Sequence, residues 1–444
     1  MAASTPFPRS RKLLLLFVIG AVIAAYVQWT YIPIHNHPFG LFHMQLDMDI
    51  YRKAAAKWAH GHSVYDGFVT GTMLYTYTPF SVLVLQPLGW LTKAHAVYLW
   101  SAAILATMWW VIVASFRSLG YRYDWRLALS ALCLVSVCSL MEPVRTTIWY
   151  GQINVFLMAI ILWDLLRPEG SRLRGIGVGI AAGIKLTPAF FVAYLVVVRQ
   201  WKAAIVAVVT FAATVGIGFL AMPRGSWKYW TTQAFDSNRV FPTDRVPSNQ
   251  SVKGMLAEVL NTNSPSTAVW LPCALIAAAL GLAAAWLAHR QGQELLALTL
   301  TGMTTCAVSP FSWGHHWVWF VPLAVYGIHL VIVSGRRTIT DVQWGRPARW
   351  LPLVLALVGV VALYLSVFCW RIHISGPVQI GPQLWRHGWY GMGLFMVVTP
   401  DWTRWFTAQS YLWVFVVTSI AAIVAWGPAA IRDLQASKVA PAAS

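Results

Sequence analysis

Two aspartates follow the first apolar run, in Leu46-Asp-Met-Asp-Ile-Tyr51, and two cations, Arg52 and Lys53, come directly after them. A carboxylate can act as a general base only if it is ionised, aimed at a substrate hydroxyl and not neutralised by a neighbour. From Ile50 to Trp58 the composition reads as a short helix at the membrane surface. On such a helix Asp49 reaches Arg52 at i+3 and Lys53 at i+4. Asp47 has no such local partner and faces another direction. It is therefore the freer carboxylate and the better candidate base. The competing reading is structural, with Asp47 or Asp49 capping the helix.

Other polar residues stand out against apolar surroundings. Lys185 lies inside Gly179-Ile-Ala-Ala-Gly-Ile-Lys-Leu-Thr-Pro188. A cation there either snorkels to an interface or marks a site, and beside a helix break it suits a lipid phosphate. Arg145 either binds substrate or pairs with Glu142. The loop 236–253 contains Asp236-Ser-Asn-Arg239, Asp244-Arg245 and Asn249-Gln250-Ser251. It is read either as a sugar or phosphate pocket or as a solvated loop. Of the adjacent pair His315-His316, one contacts substrate while the other packs or caps. The histidine pairs 35/37, 60/62 and 315/316 have no metal-ligand spacing, so no metal is expected. Tyr75-Thr-Tyr-Thr-Pro79 is read either as interface anchors or as a surface for a sugar ring.

These residues need a scaffold, and composition indicates which kind. The chain has 444 residues, 58% hydrophobic and only 10% charged. A soluble domain carries about a quarter charged residues, which excludes an ordinary cytosolic enzyme and a disordered chain. Long apolar runs recur throughout, so an all-α polytopic membrane protein is expected. Lys and Arg number 32 against 14 Asp and Glu, but the cations are scattered between apolar runs. That pattern marks cytoplasmic loops and argues against nucleic-acid binding. Cys133, Cys138, Cys273, Cys306 and Cys369 lie in apolar runs and read as small buried hydrophobes.

The basic N-terminus ahead of the first apolar run reads as a signal anchor. Residues 1–12 are expected to form a cytoplasmic N-terminus, 13–431 a single integral-membrane domain with a first outer loop at 34–78, and 432–444 a cytoplasmic tail. The loops holding Arg117, Arg122 and Arg126; Arg167, Arg172 and Arg174; Arg199 and Lys202; His289 and Arg290; and Arg336, Arg337, Arg346 and Arg349 are all placed inside. This requires that 79–92 and 175–198 do not cross as single straight helices. The expectation is ten full spans, or twelve if those two cross. The polar and irregular segments, including 370–409, then collect on the outer face.

Several stretches, in order along nearly the whole chain, resemble a known family. Leu46-Asp-Met-Asp-Ile-Tyr51 resembles the first-loop acidic motif of GT-C-type, polyprenol-phosphate-dependent glycosyltransferases. Tyr75-Thr-Tyr-Thr-Pro-Phe80, Glu142 to Asn154, Gly183-Ile-Lys-Leu-Thr-Pro188, Ser248-Asn-Gln-Ser251 and Ser309-Pro-Phe-Ser-Trp-Gly-His-His316 are similar to the actinobacterial α-1,2-mannosyltransferase branch of glycosyltransferase family 87. The resemblance implies a GT-C fold and a polyprenyl-phosphate mannose donor. It implies a phosphatidylinositol mannoside or lipomannan-type glycolipid acceptor, and inverting transfer on the outer face of the plasma membrane without metal or other cofactor. It maps the base to Asp47. It also implies a pocket lined by His315 or His316, Lys185, Arg145, Gln152, Asn154, Asn249 and Gln250. Asp49, another candidate substrate contact, stands where other members can have a non-acidic residue. A branch of the same fold uses polyprenyl-phosphate arabinose. A lipid or solute transporter is the competing class, but no inverted repeat is present.

Overall fold

The computed structural model describes residues 5–439 apart from 9, 33, 36–39, 235, 237, 238, 240, 341–349, 381, 382 and 386. Arg9, His37, Ser237, Asn238, Arg346, Arg349 and the tail from 440 therefore lie outside the described residues. Helices dominate: α1 (Arg11–Thr30), α2 (Leu46–Ala59), α3 (Pro79–Val84), α4 (Gln86–Gly89), α5 (Lys93–Ser118), α6 (Trp125–Cys138) and α7 (Glu142–Tyr150). They continue with α8 (Asn154–Leu165), α9 (Ile176–Ile184), α10 (Phe190–Val197), α11 (Trp201–Ala221), α12 (Pro223–Lys228) and α13 (Val252–Val259). The last are α14 (Thr267–Arg290), α15 (Glu294–Val308), α16 (Phe320–Thr340), α17 (Leu351–Val367), α18 (Arg404–Thr407) and α19 (Ser410–Val439).

The protein is an all-α polytopic membrane protein. Length and apolarity together qualify α1, α5, α11, α14 and Ser410–Pro428 of α19 as spans, with a sixth if α7 and α8 count as one broken span. The remaining expected crossings fall on α16 and on shorter apolar helices, among them α6, α15 and α17. Both segments expected to be irregular are so. Residues 79–92 hold only the short α3 and α4. The run 175–198 breaks at Lys185, whose backbone is extended, before a 3₁₀ turn at Thr187–Ala189. Pro188 enforces the break, since it has no N–H to donate and restricts the residue before it.

Two small departures from an all-helical chain appear. The segment 370–409, expected only as irregular outer material, contains an antiparallel ribbon of β3 (Trp370–Ile374) and β6 (Gly388–Met392). A smaller hairpin, β4 (Val378–Ile380) with β5 (Gln383–Trp385), lies between them. Near the N-terminus, β1 (Thr5–Pro6) pairs in parallel with β2 (Tyr121–Arg122).

The contacts between loops divide the bundle into two ends. β1–β2 joins the N-terminus to the loop of Arg117 and Arg122, and Tyr121 of that loop meets His329 at 3.0 Å. Arg174 reaches Gln200 and Glu294, and His289 lies near Glu169, so three more basic loops meet one another. α5 and α8 run parallel, because Trp100 near the start of α5 packs on Phe156 and donates to the Gly151 carbonyl at 2.8 Å. Their C-terminal ends therefore point the same way, into the basic loops. The chain around Gly151, where α8 begins, lies at the opposite end.

Candidate active site

The opposite end is built around the first turn of α2. That helix begins at Leu46, four residues earlier than the composition indicated, and neither aspartate caps it. Gln45 takes the cap position in a left-handed conformation, with φ 45° and no capping side chain. Contacts with α7 hold it there: its N–H donates to Trp149 O at 2.7 Å, and its Nε2 donates to Ile148 O at 2.6 Å. The close approach requires Gly151. This residue has φ 69°, and a Cβ on it would sit 2.6 Å from Met48 Cβ. Because α2 and the α7–α8 turn meet so closely, Gln152 stands beside Asp47.

Asp49 behaves as its spacing indicated. Its carboxylate pairs with Arg52 at 3.0 Å and Lys53 at 3.1 Å. Asp47 instead receives a hydrogen bond from Gln152 and faces the charge of Lys185. Gln152 is oriented by two tyrosines, since the hydroxyls of Tyr51 and Tyr77 each lie 3.1 Å from its Oε1. The Oε1 atom is thereby engaged, so the amide N–H faces Asp47. Burial opposes ionisation more than Gln152 and Lys185 favour it, and the Asp47 carboxyl is pushed up to about 6.

Lys185 reaches the same space from the break after α9. Its Nζ donates to Asn154 Oδ1 at 2.9 Å, lies 3.2 Å from His316 Nε2, and stands over the Tyr77 ring at 5.3 Å. An ammonium has only donors, so His316 Nε2 accepts. That leaves the proton on Nδ1, which faces Ser312 Oγ at 3.5 Å. Asn154 donates its other amide atom to the His315 carbonyl at 2.9 Å. Burial, helped by the Lys185 charge, holds both imidazoles well below their usual range. Both are therefore neutral near pH 7. His315 keeps a buried Nε2 with no hydrogen-bond partner, and its ring packs beside Tyr150. A cleft lined by Asn154, Thr187, Cys306, Ser312, His316 and Trp319 opens beside the group.

Asp47, Gln152, Asn154, Lys185, His315 and His316 thus converge from separate segments. Other expected site residues are placed differently. Asn249 accepts from Ser312 N–H at 3.0 Å and donates to Asp244 O. Gln250 donates to Pro247 O and Ala408 O, each at 2.8 Å. Both are fully buried, and their amides hold the histidine turn and the start of α19 rather than line a pocket. Glu142 does not pair with Arg145. It accepts from Tyr411 at 2.6 Å, and Gly314 packs directly on its carboxylate. Arg145 is buried beside Gly391 of β6. Tyr75 and Tyr77 are buried, not interface anchors. Tyr51 was not singled out from sequence, although it lies four residues after Asp47, one helical turn away. The five cysteines are free, and four are buried. Among the described residues no group of three His, Cys, Asp or Glu is placed to hold a metal.

Comparison with known proteins gives the chain its family. A family model, Glycosyltransferase family 87, matches residues 75–310. A Mycobacterium tuberculosis protein is 30% identical over 414 residues, covering 91% of this chain and 89% of the relative. It is named a polyprenol-phosphate-mannose-dependent alpha-(1-2)-phosphatidylinositol pentamannoside mannosyltransferase. A second, from another strain of that species, is 28% identical over 90% of this chain and 87% of its own length. Its name is the same except that the acceptor is phosphatidylinositol mannoside. A Mycolicibacterium smegmatis pentamannoside enzyme is 30% identical over 89% of this chain and 91% of its own length. No solved structure matches. The family match covers more than half of the chain and the relatives cover nearly all of it, so the protein belongs to glycosyltransferase family 87.

Proposed function

We propose that this protein moves mannose from polyprenyl-phosphate mannose to a phosphatidylinositol mannoside, forming an α-1,2 linkage with inversion. The observation that carries the reading is Asp47, the carboxylate held by Gln152 and opposed by Lys185 rather than neutralised by a neighbour on its own helix. The names of relatives that align along nearly the whole chain support the donor and acceptor. Those names contain no arabinose donor and no transport activity.

In this mechanism Asp47 takes the proton from an acceptor hydroxyl as that oxygen attacks the anomeric carbon. The carbon–phosphate oxygen bond breaks, and the lipid phosphate leaves as an anion. Lys185 and His315, in the tautomer whose open Nε2 carries the proton, meet that charge, while His316 and Asn154 hold the ammonium in place. The residues need no divalent metal for these roles, so transfer should persist in EDTA. The reaction takes place on the outer face of the plasma membrane. What supports this is the site's position at the bundle end away from the basic loops, with those loops read as cytoplasmic.

Membranes containing the protein should transfer mannose from polyprenyl-phosphate mannose, and not arabinose from the analogous donor, to phosphatidylinositol mannosides. Transfer of arabinose alone would reassign the donor. A reporter fused after His43 should read outside; a cytoplasmic signal there would place the site on the wrong face.

A further inference from the structure

The β3–β6 ribbon has two different faces. On one, Tyr390 and Met392 pack with Trp149 of α7, and Trp149 packs at a tilt against Tyr150, the neighbour of His315. This fixes the ribbon to the active-site wall. On the other face, the strand register places Arg371 opposite Gly391 and His373 opposite Trp389. Side chains two residues apart on a strand share a face. Gly391 abuts the Nε of buried Arg145. Arg145, Arg371, Trp389 and His373 therefore form one row, from buried to exposed.

Arg371 is the unusual member. Its guanidinium lies 3.9 Å from the centre of the Trp389 ring and 5.5 Å from that of Tyr31. Its Nε is buried with no hydrogen-bond partner, and among the described residues no carboxylate lies within ion-pair distance of it. The guanidinium lies over the Trp389 ring and within reach of the Tyr31 ring, and its planar fork of N–H groups suits a bidentate oxyanion. Beside it, the His373 ring packs at a tilt against Trp389 at 4.6 Å and edge-on against His387 at 4.9 Å. The depth of the row can also be read. Trp29 and Tyr31 at the end of α1 are exposed, as aromatic residues at a membrane–water interface are. Arg371 therefore lies at headgroup level.

The geometry points to this row as the acceptor-headgroup site. Arg371 holds the phosphodiester of the glycolipid, and the Trp389–His373 surface receives its sugars. The inference rests on the proposed function for the nature of the acceptor. It makes Arg371 and Trp389 positioning and specificity residues rather than catalytic ones.

The test uses the full chain in phosphatidylcholine nanodiscs, comparing wild type, Arg371→Gln, Arg371→Lys and Trp389→Ala. With phosphatidylinositol mannoside as acceptor, Arg371→Gln should raise the acceptor KM about tenfold, the scale of one charge-assisted contact, with kcat and the donor KM within about twofold. Arg371→Lys should fall between Arg371→Gln and wild type. With an alkyl mannoside acceptor that lacks phosphate, Arg371→Gln and wild type should be equal. Trp389→Ala should weaken both acceptors. Equal losses on both acceptors for Arg371→Gln, or no change on either, would overturn the assignment. So would a defect that appears only when phosphatidylglycerol is added, which would make the site one for bulk anionic lipid. Retention of phosphatidylinositol mannoside without donor, measured by native mass spectrometry, separates the two proposals. A wild type that transfers no mannose but loses the lipid on Arg371→Gln refutes the reaction and leaves this site standing. A variant that retains the lipid as wild type does refutes the site.

Discussion

The two ends of the bundle both bury charge, but they treat it differently. At the basic end Asp164 is fully buried and completely engaged. It accepts from the N–H groups of Gly175 and Val178 and pairs with Arg167. Glu294 accepts from Arg174 and Tyr194 at 3.0 Å each and contacts His289 at 2.6 Å. Arg174 also holds Gln200 Oε1 at 2.8 Å and the Arg167 carbonyl. At the other end Asp47 has one amide donor and one facing cation, and His315 has an open nitrogen. Full compensation makes a rigid joint between loops. Incomplete compensation leaves capacity for a ligand, at a cost in stability that the fold bears where chemistry is done.

The contrast breaks most sharply at Asp47 and Asp164. Asp47→Asn should lower kcat by about 10³, the middle of the range for a positioned base, while the melting temperature holds or rises. Asp164→Asn should do the reverse. Two backbone N–H groups and Arg167 lose a charged acceptor, and stability should fall by about 2–3 kcal/mol. Thermal unfolding in detergent read beside mannose transfer checks both. Stability loss in Asp47→Asn with transfer intact would invert the comparison.

Lys185→Gln should fall next in size. Removing one preorganised charge facing the leaving phosphate costs about 10² in kcat, with the acceptor KM little changed. Single-turnover rates with saturating donor measure this. If Lys185 only snorkelled, the rate would be unchanged.

These residues differ in how readable they were. Asp47 and Asp49 could be told apart because Asp49's partners lie within one helical turn, which spacing reports directly. Lys185 was visible as a cation in an apolar run. For Asn249 and Gln250 the residues alone leave pocket and solvated loop open, and only the family resemblance points to the pocket, because an amide in a polar loop reads alike whether it faces a sugar or a backbone carbonyl. The start of α2 was misjudged because local cap preferences favour aspartate, whereas Gln45 is held by Trp149 and Ile148, about a hundred residues away. The ribbon was missed for a similar reason. Its register joins segments separated by Ser375 to His387, and no periodic apolar pattern marks it. Short-range physics was legible; partners distant along the chain were not.

Protonation sharpens the comparison without altering a residue. Asp47 titrates near 6 rather than near 4 because burial disfavours its charge. Above that pH the carboxylate is ionised, as the proposed base must be, and below it the proton is already in place. The profile of kcat/KM should therefore be flat near pH 7–8 and fall about tenfold per unit well below pH 6. In Asp47→Asn the residual rate should lose this limb. A wild-type profile that stays flat to pH 4.5 would mean that a carboxyl of ordinary pKa does the work.

The smallest expected effect concerns the neighbouring carboxylate. Asp49→Asn removes a pair with Arg52, which also reaches Leu91 O at 3.4 Å, and a pair with Lys53, which also holds Thr70 at 2.6 Å. Each cation keeps a second anchor, and the Lys53 side chain is 41% exposed, where water screens the attraction. The loss in stability should stay below about 1 kcal/mol. Because α2 is also pinned through Gln45, Asp47 should keep its place, and kcat should drop by less than about threefold. The conservative change matters here, since asparagine keeps the volume and one acceptor while removing only the charge. Should Asp49→Asn abolish transfer while Asp47→Asn leaves it, the base would be the paired carboxylate. Neutralisation by helix neighbours would then no longer distinguish a structural charge from a chemical one in this fold.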